Sequence, residues 1–159
     1  MRTNNSNVKN TIVSVYFILV VLAIVMATLS RVFSDITSDS AIAMVLVLVG
    51  FTLIFFLVHR VSKYFEYDSD GLNVIILNKG LMLSDNFNYR EKRIEFAKDN
   101  LLAFKFNNFL FYRTLVIYTS NSRGKKSKDT FNVTLLTKKK RRYIRQSLTK
   151  IIKLKHKEL

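Results

Sequence analysis

Residues 11–30 read TIVSVYFILVVLAIVMATLS and residues 41–58 read AIAMVLVLVGFTLIFFLV, twenty and eighteen positions without a single charged side chain. A helix rises ~1.5 Å per residue, so about twenty apolar residues cover a hydrocarbon core of roughly 30 Å. The first stretch reaches that length. The second comes close, with Phe55, Phe56 and Leu57 at its inner end. A segment in lipid must satisfy its own backbone hydrogen bonds, so each stretch is expected to be a helix. Ten residues, 31–40, separate them, which makes the pair a transmembrane hairpin.

The flanking charges set an expected orientation. Arg2 and Lys9 precede the first stretch, and His59-Arg60 and Lys63 follow the second. Between the two, Arg31 stands against Asp35 and Asp39. Lys and Arg accumulate on the cytoplasmic side of spans. Residues 1–10 are therefore expected inside, the loop 31–40 outside, and residues 61–157 inside as a domain. Thirteen Asn beside abundant Lys, Ile and Phe suit an AT-rich bacterial genome. The expected location is thus the bacterial inner membrane, multi-pass, with both termini cytoplasmic. A cleaved signal peptide is the competing reading, because Val25-Met26-Ala27 has the small-residue spacing of a cleavage site. The apolar run continues to Ser30, longer than the usual core of a signal peptide, and argues against it. No ionisable group lies within either span, so no proton relay or gating charge of the usual kind is encoded. Gly50 and Thr52 offer a close-approach point, but no small-xxx-small pair accompanies them and an incidental role is favoured. The hairpin reads as an anchor.

Beyond residue 60 the character changes. Of the formal charge of +15, a net +14 falls between His59 and Leu159. The periodicity becomes that of strands: 64–67, 72–77, 90–96, 102–106, 113–119 and 130–135 alternate or are β-rich. Turn chemistry is expected at Asp68-Ser69-Asp70-Gly71 and at Asn78-Lys79-Gly80, with a polar loop over 120–129. From 138 to 154 the pattern is helical, with Ile144, Leu148, Ile151 and Ile152 on one face and Thr137 placed to cap the start. A small antiparallel barrel closed by that amphipathic helix is the expected architecture of this mostly-β domain.

This layout resembles the bacterial pleckstrin-homology-like membrane proteins, in which two N-terminal spans precede a compact β domain with one C-terminal helix. The resemblance covers 64–152. It rests on Glu66-Tyr67-Asp68 leading to Gly71-Leu72, on Lys92-Arg93-Ile94-Glu95-Phe96, and on Arg113-Thr114-Leu115-Val116-Ile117-Tyr118. The closing helix matches Tyr143-Ile144 through Leu148 to Ile151-Ile152. The family implies a seven-stranded bent barrel capped by a helix, and no catalytic residues. Its phosphoinositide-binding relatives use a basic loop between the first two strands. Asp68-Ser69-Asp70-Gly71 is acidic at the place assigned to that loop, which argues against inositol phosphates there.

No residue pattern in the chain points to enzyme chemistry. Cysteine is absent, which excludes disulfides, thiol nucleophiles and Cys-ligated metals. His59 reads as an interfacial residue at a span's end and His156 as a solvated tail residue. Asn78-Lys79-Gly80 and Gly124-Lys125-Lys126 fall short of a phosphate loop, and Asp68 with Asp70 lacks the glutamate of a calcium loop. Ser84-Asp85 has no nearby base. No catalytic, metal-binding or cofactor-binding residue is expected. What remains is two basic clusters. Arg123, Lys125, Lys126 and Lys128 fall in an expected hairpin loop, and Lys138, Lys139, Lys140, Arg141 and Arg142 open the last helix. Near a bilayer such residues attract anionic headgroups by about 1 kcal/mol each. Five cations at a helix N-terminus also oppose the macrodipole, a conflict that an anion would relieve.

The expected function is therefore a non-enzymatic, membrane-anchored interaction module presenting a basic domain to anionic lipid headgroups or an acidic protein. The alternative is a small subunit or assembly factor of a larger membrane complex. Nucleic-acid binding is disfavoured, because Phe109, Phe111 and Tyr112 at strand spacing read as core rather than as stacking platforms.

Overall fold

The computed structural model describes residues 1–28, 40–80, 91–121, 124–155 and 157. The chain divides into two compact units, one formed by Met1–Ser6 with Val61–Leu159 and the other by Asn7–Arg60.

The second unit consists of two helices, α1 (Lys9–Thr28) and α2 (Ser40–Val61). Both are long and apolar enough to cross a membrane, with windows at Ser6–Met26 and Met44–Val61 of mean hydropathy 2.3. Their large side chains point outward: Phe17, Phe56 and Leu57 are each about two-thirds exposed. Hydroxyls in these helices return to their own backbone. Ser14 donates to the Asn10 carbonyl at 3.0 Å, Thr52 to Leu48 at 2.7 Å and Thr28 to Val25 at 2.9 Å, so these three hydroxyls are satisfied within their own helices. Tyr16 and Phe55 meet edge to face, ring centres 5.0 Å apart. Gly50 is not a contact point, since a Cβ added there meets open space. The expected loop 31–40 lies outside the described residues except for Ser40, which opens α2.

The first unit is two antiparallel sheets and a helix. Strands β1 (Arg2–Asn4), β2 (Lys63–Asp68), β3 (Asn73–Gly80) and β4 (Lys92–Ala97) form one sheet in that order. Strands β5 (Leu101–Asn108), β6 (Arg113–Ser120) and β7 (Lys126–Asn132) form the other. Helix α3 (Lys138–Lys155) ends the unit. Alternation points one face of each strand inward. Phe65 and Tyr67, Val74 and Ile76, and Leu115 and Ile117 meet Phe96, Leu101 and Phe131 in a single core. Ile144, Leu148 and Ile151, spaced by four and three, lay one stripe of α3 against it. Thr137 caps the helix as expected, accepting the Lys140 N–H at 3.3 Å.

Four expectations need correction. Residues 2–4 form an edge strand in register with β2, Arg2 opposite Asp68 and Asn4 opposite Glu66, where the sequence suggested only a tail. Asp68-Ser69-Asp70-Gly71 consequently joins the second and third strands. The connection between the first and second strands is the helical excursion itself. Asn78-Lys79-Gly80 completes β3 instead of turning, because the Asn78 amide is consumed in cross-links: it donates to Tyr64 at 2.8 Å and Asn132 at 3.1 Å. Residues 81–90, with Ser84-Asp85 and Arg90 among them, lie outside the described residues. Finally, the last strand starts at Lys126 and stops at Asn132, four residues earlier and three residues earlier than the alternation over 130–135 suggested. A tight turn replaces most of the expected loop, with Gly124 at φ +75° and its N–H donated to Asn121.

Candidate functional site

Strand register decides where the cations go. Strand β6 begins at Arg113 and ends at Ser120, opposite Lys126. Seven residues at ~3.3 Å each separate those ends by roughly 23 Å. Lys125, Lys126 and Lys128 sit exposed at the Ser120 end, and Arg123 lies outside the described residues. Lys138 through Arg142 belong to the Arg113 end, because β7 delivers the chain there before α3 starts: Thr114 pairs with Asn132, and the Val133 N–H donates to the Arg113 carbonyl at 2.9 Å. The two basic clusters are at opposite poles. They do not form one patch.

The Arg113 pole is also where the chain leaves this unit at Ser6 and returns at Val61. Asn5, 2% exposed, holds both points: its amide donates to the Lys63 carbonyl at 2.9 Å and accepts the Phe65 N–H at 2.8 Å. The Asn132 amide donates to the Val61 carbonyl at 3.3 Å, and Lys140 Nζ donates to the Asn4 carbonyl at 2.6 Å. Lys140 is thus engaged in structure. Lys139 lies 5.9 Å from the Tyr143 ring centre, over its face.

The other cations of the cluster converge. Lys138, Arg141, Arg142 and Arg145 recur at i, i+3, i+4 and i+7, which puts them on one face of α3. That face and the end of the β5–β6 hairpin bound a groove of about 730 Å³, whose opposite side carries Phe106, Asn108, Phe109 and Arg113. No carboxylate is among the described residues lining it. Glu66, Asp129 and Glu95 are occupied elsewhere, by Arg2, Lys92 and Arg93. The Arg141 guanidinium donates to the Leu136 carbonyl at 2.9 Å, and Arg145 stacks 5.2 Å from the Phe106 ring centre. Burial, then the neighbouring Arg113 and Arg145, hold Arg141 below the ordinary arginine range. It remains a cation at neutral pH, pressed by like charges.

Beside the groove the β5–β6 turn presents Phe109, Leu110 and Phe111, which are 62%, 87% and 79% exposed. The turn is tight, with the Phe109 N–H donated to the Tyr112 carbonyl at 2.8 Å. Phe109 and Phe111 are therefore not core, contrary to the sequence reading. Arg113, Arg145 and Asn108 also escaped that reading, although the four-residue spacing of Arg145 from Arg141 was a usable signal.

A second hollow of about 450 Å³ lies beside Ser69, Tyr143 and Ser147 and shares Gln146 with the first. There the Tyr67 and Ser69 hydroxyls both meet Ser147 Oγ, at 2.9 and 3.1 Å. Burial raises the Tyr67 phenol above its ordinary value, which keeps it protonated at neutral pH. Among the described residues no three His, Cys, Asp or Glu cluster to hold a metal. Comparison with protein-family models, with curated proteins and with solved structures gave no match.

Proposed function

We propose that this protein is a non-enzymatic, membrane-anchored interaction module, with a pleckstrin-homology-like domain held by a helical hairpin at the cytoplasmic face. There it meets anionic lipid or an acidic protein. The observation that carries the reading is the coincidence, at one pole of the domain, of the cationic groove and both points where the chain departs for the helices. One residue, Ser62, separates α2 from β2. This pole is thus the one tethered to the hairpin, and cations that come within a Debye length of roughly 8 Å of a bilayer act on its headgroups.

Further support comes from the strand count. Among the described residues four strands and then three, followed by a helix, are in keeping with the seven-stranded, helix-capped domain that the family resemblance implies, with the first strand supplied by residues 2–4 from outside the stretch 64–152. The apolar exteriors of α1 and α2 suit lipid as their surroundings. Because residues 2–4 and 63–68 pair in one sheet, a hairpin crossing twice returns the chain to the side it left, in keeping with the charge asymmetry.

Hydrogen exchange on the full-length protein in nanodiscs tests the reading. Amides of the domain should gain protection when phosphatidylglycerol is added to phosphatidylcholine, and lose it as salt rises. Unchanged exchange together with crosslinking in cells to an acidic protein would select the protein partner. Neither result, with the chain extracted from membranes by alkaline carbonate, would contradict the proposal.

A further inference from the structure

Resting on that reading, we infer that the groove between the β5–β6 turn and α3 is a site for the phosphate of an anionic phospholipid, and that Phe109-Leu110-Phe111 is an apolar wedge entering the bilayer beside it. The site is built from three strands of argument.

The first is charge. Arg113, Arg141, Arg142 and Arg145 converge on one groove with no carboxylate among the described residues that line it. Arginine's planar fork suits phosphate oxygens, and a single bound anion relieves the mutual repulsion that bears on Arg141. It also relieves the first turn of α3, which carries Lys138, Lys139 and Lys140 and no acidic residue against the macrodipole.

The second is the exposed apolar turn. Three consecutive large apolar side chains on a hairpin tip have no use in water, and a rigid turn presents them as a unit. A free phosphate or nucleotide would use the cations and leave the wedge unexplained. A bilayer surface uses both, since the phosphate layer lies just outside the acyl boundary.

The third is position. Groove and wedge share the pole at which Asn5 and Asn132 clamp the two exits of the chain. The acidic turn Asp68–Gly71, by contrast, is at the far end of β2, opposite Arg2. Exposed Leu72 marks that far pole, just as Leu110 marks the near one.

The chain contains no tryptophan, so one introduced indole reports alone. Full-length Leu110→Trp and Leu72→Trp are reconstituted in nanodiscs of phosphatidylcholine, with and without phosphatidylglycerol, and read by emission and by quenching from brominated acyl chains. The expected result is a blue-shifted, quenched Leu110→Trp with anionic lipid only, reversed by salt, while Leu72→Trp stays in water. Adding Arg141→Gln, Arg142→Gln and Arg145→Gln should abolish the response. The three lysine substitutions should retain most of it, which separates lost charge from lost folding. Soluble glycerol phosphate should not reproduce the response. Equal quenching in neutral and anionic discs, or no effect of the glutamine variants, would overturn the headgroup site and leave the membrane module standing. Quenching of Leu72→Trp instead would do the same, since the opposite pole would then face the lipid. If neither indole responds and exchange protection is also absent, the lipid-directed module fails together with the site.

Discussion

Three asparagines hold the domain at the pole where the chain departs. Asn5 substitutes for a strand residue by bonding both Lys63 and Phe65, and Asn78 and Asn132 cross-link the two sheets, with the Asn132 N–H on Asn78 Oδ1 at 3.2 Å. Each side-chain amide answers backbone groups that are partly or fully buried, so removal leaves those groups poorly paired at about 1–3 kcal/mol apiece. Asn5→Ala should therefore destabilise the domain by roughly 2–4 kcal/mol, as a lowered melting midpoint of the full-length protein in detergent. Asn5→Asp should be nearly as harmful, because a carboxylate cannot donate to Lys63. None of this was legible from sequence. Asparagine there signalled genome composition or a turn, and its role depends on partners up to 71 residues away. The core side chains were legible, since Phe65, Tyr67, Leu115, Ile117, Ile144 and Leu148 follow strict periods of two or of three and four. Leu148→Ala, at a fully buried site, should cost about 2–5 kcal/mol by the same melt.

At the scale of elements, helix α3 and strand β1 carry opposite lessons. Helix α3 was readable to its cap, because an uninterrupted amphipathic run with Thr137 before it specifies a helix locally. Its first turn is a compromise, with three lysines facing the wrong way for the dipole. Lys138→Glu should raise the melting midpoint of lipid-free protein by the equivalent of about 0.5–1 kcal/mol while weakening any response to anionic lipid. A variant that is more stable and binds as well would show that the cluster serves neither purpose. Strand β1 is three residues long and owes its structure to an edge formed far along the chain, so no local pattern could announce it. Its pairing bears on the fate of the N-terminus. Cleavage after Ala27 would strip an edge strand from the domain, so the intact mass of membrane-purified protein should include residues 2–27. The two basic clusters read in the sequence, near Lys125 and at 138–142, are held at opposite ends of β6, a separation that only the strand register reveals.

Across the whole molecule, the two units have different surfaces, as the proposed membrane hairpin requires. Apolar residues face outward on α1 and α2, while the same residue types are buried in the domain. The first sixty residues announce this plainly, since charge-free stretches of span length need no tertiary context to interpret. The site was half readable. Charge content pointed to anions, but the groove joins residues from a hairpin tip and a helix that only the fold brings together. The central claim is that the helices cross a bilayer and return the chain to one side. The absence of cysteine makes a direct measurement simple. Single cysteines at Asp35 and at Leu72 in the full-length protein are labelled in intact cells with a membrane-impermeant maleimide. The account predicts labelling of Asp35→Cys in intact cells and of Leu72→Cys only after permeabilisation. Labelling of Leu72→Cys from outside, or loss of both from the membrane fraction, would contradict it.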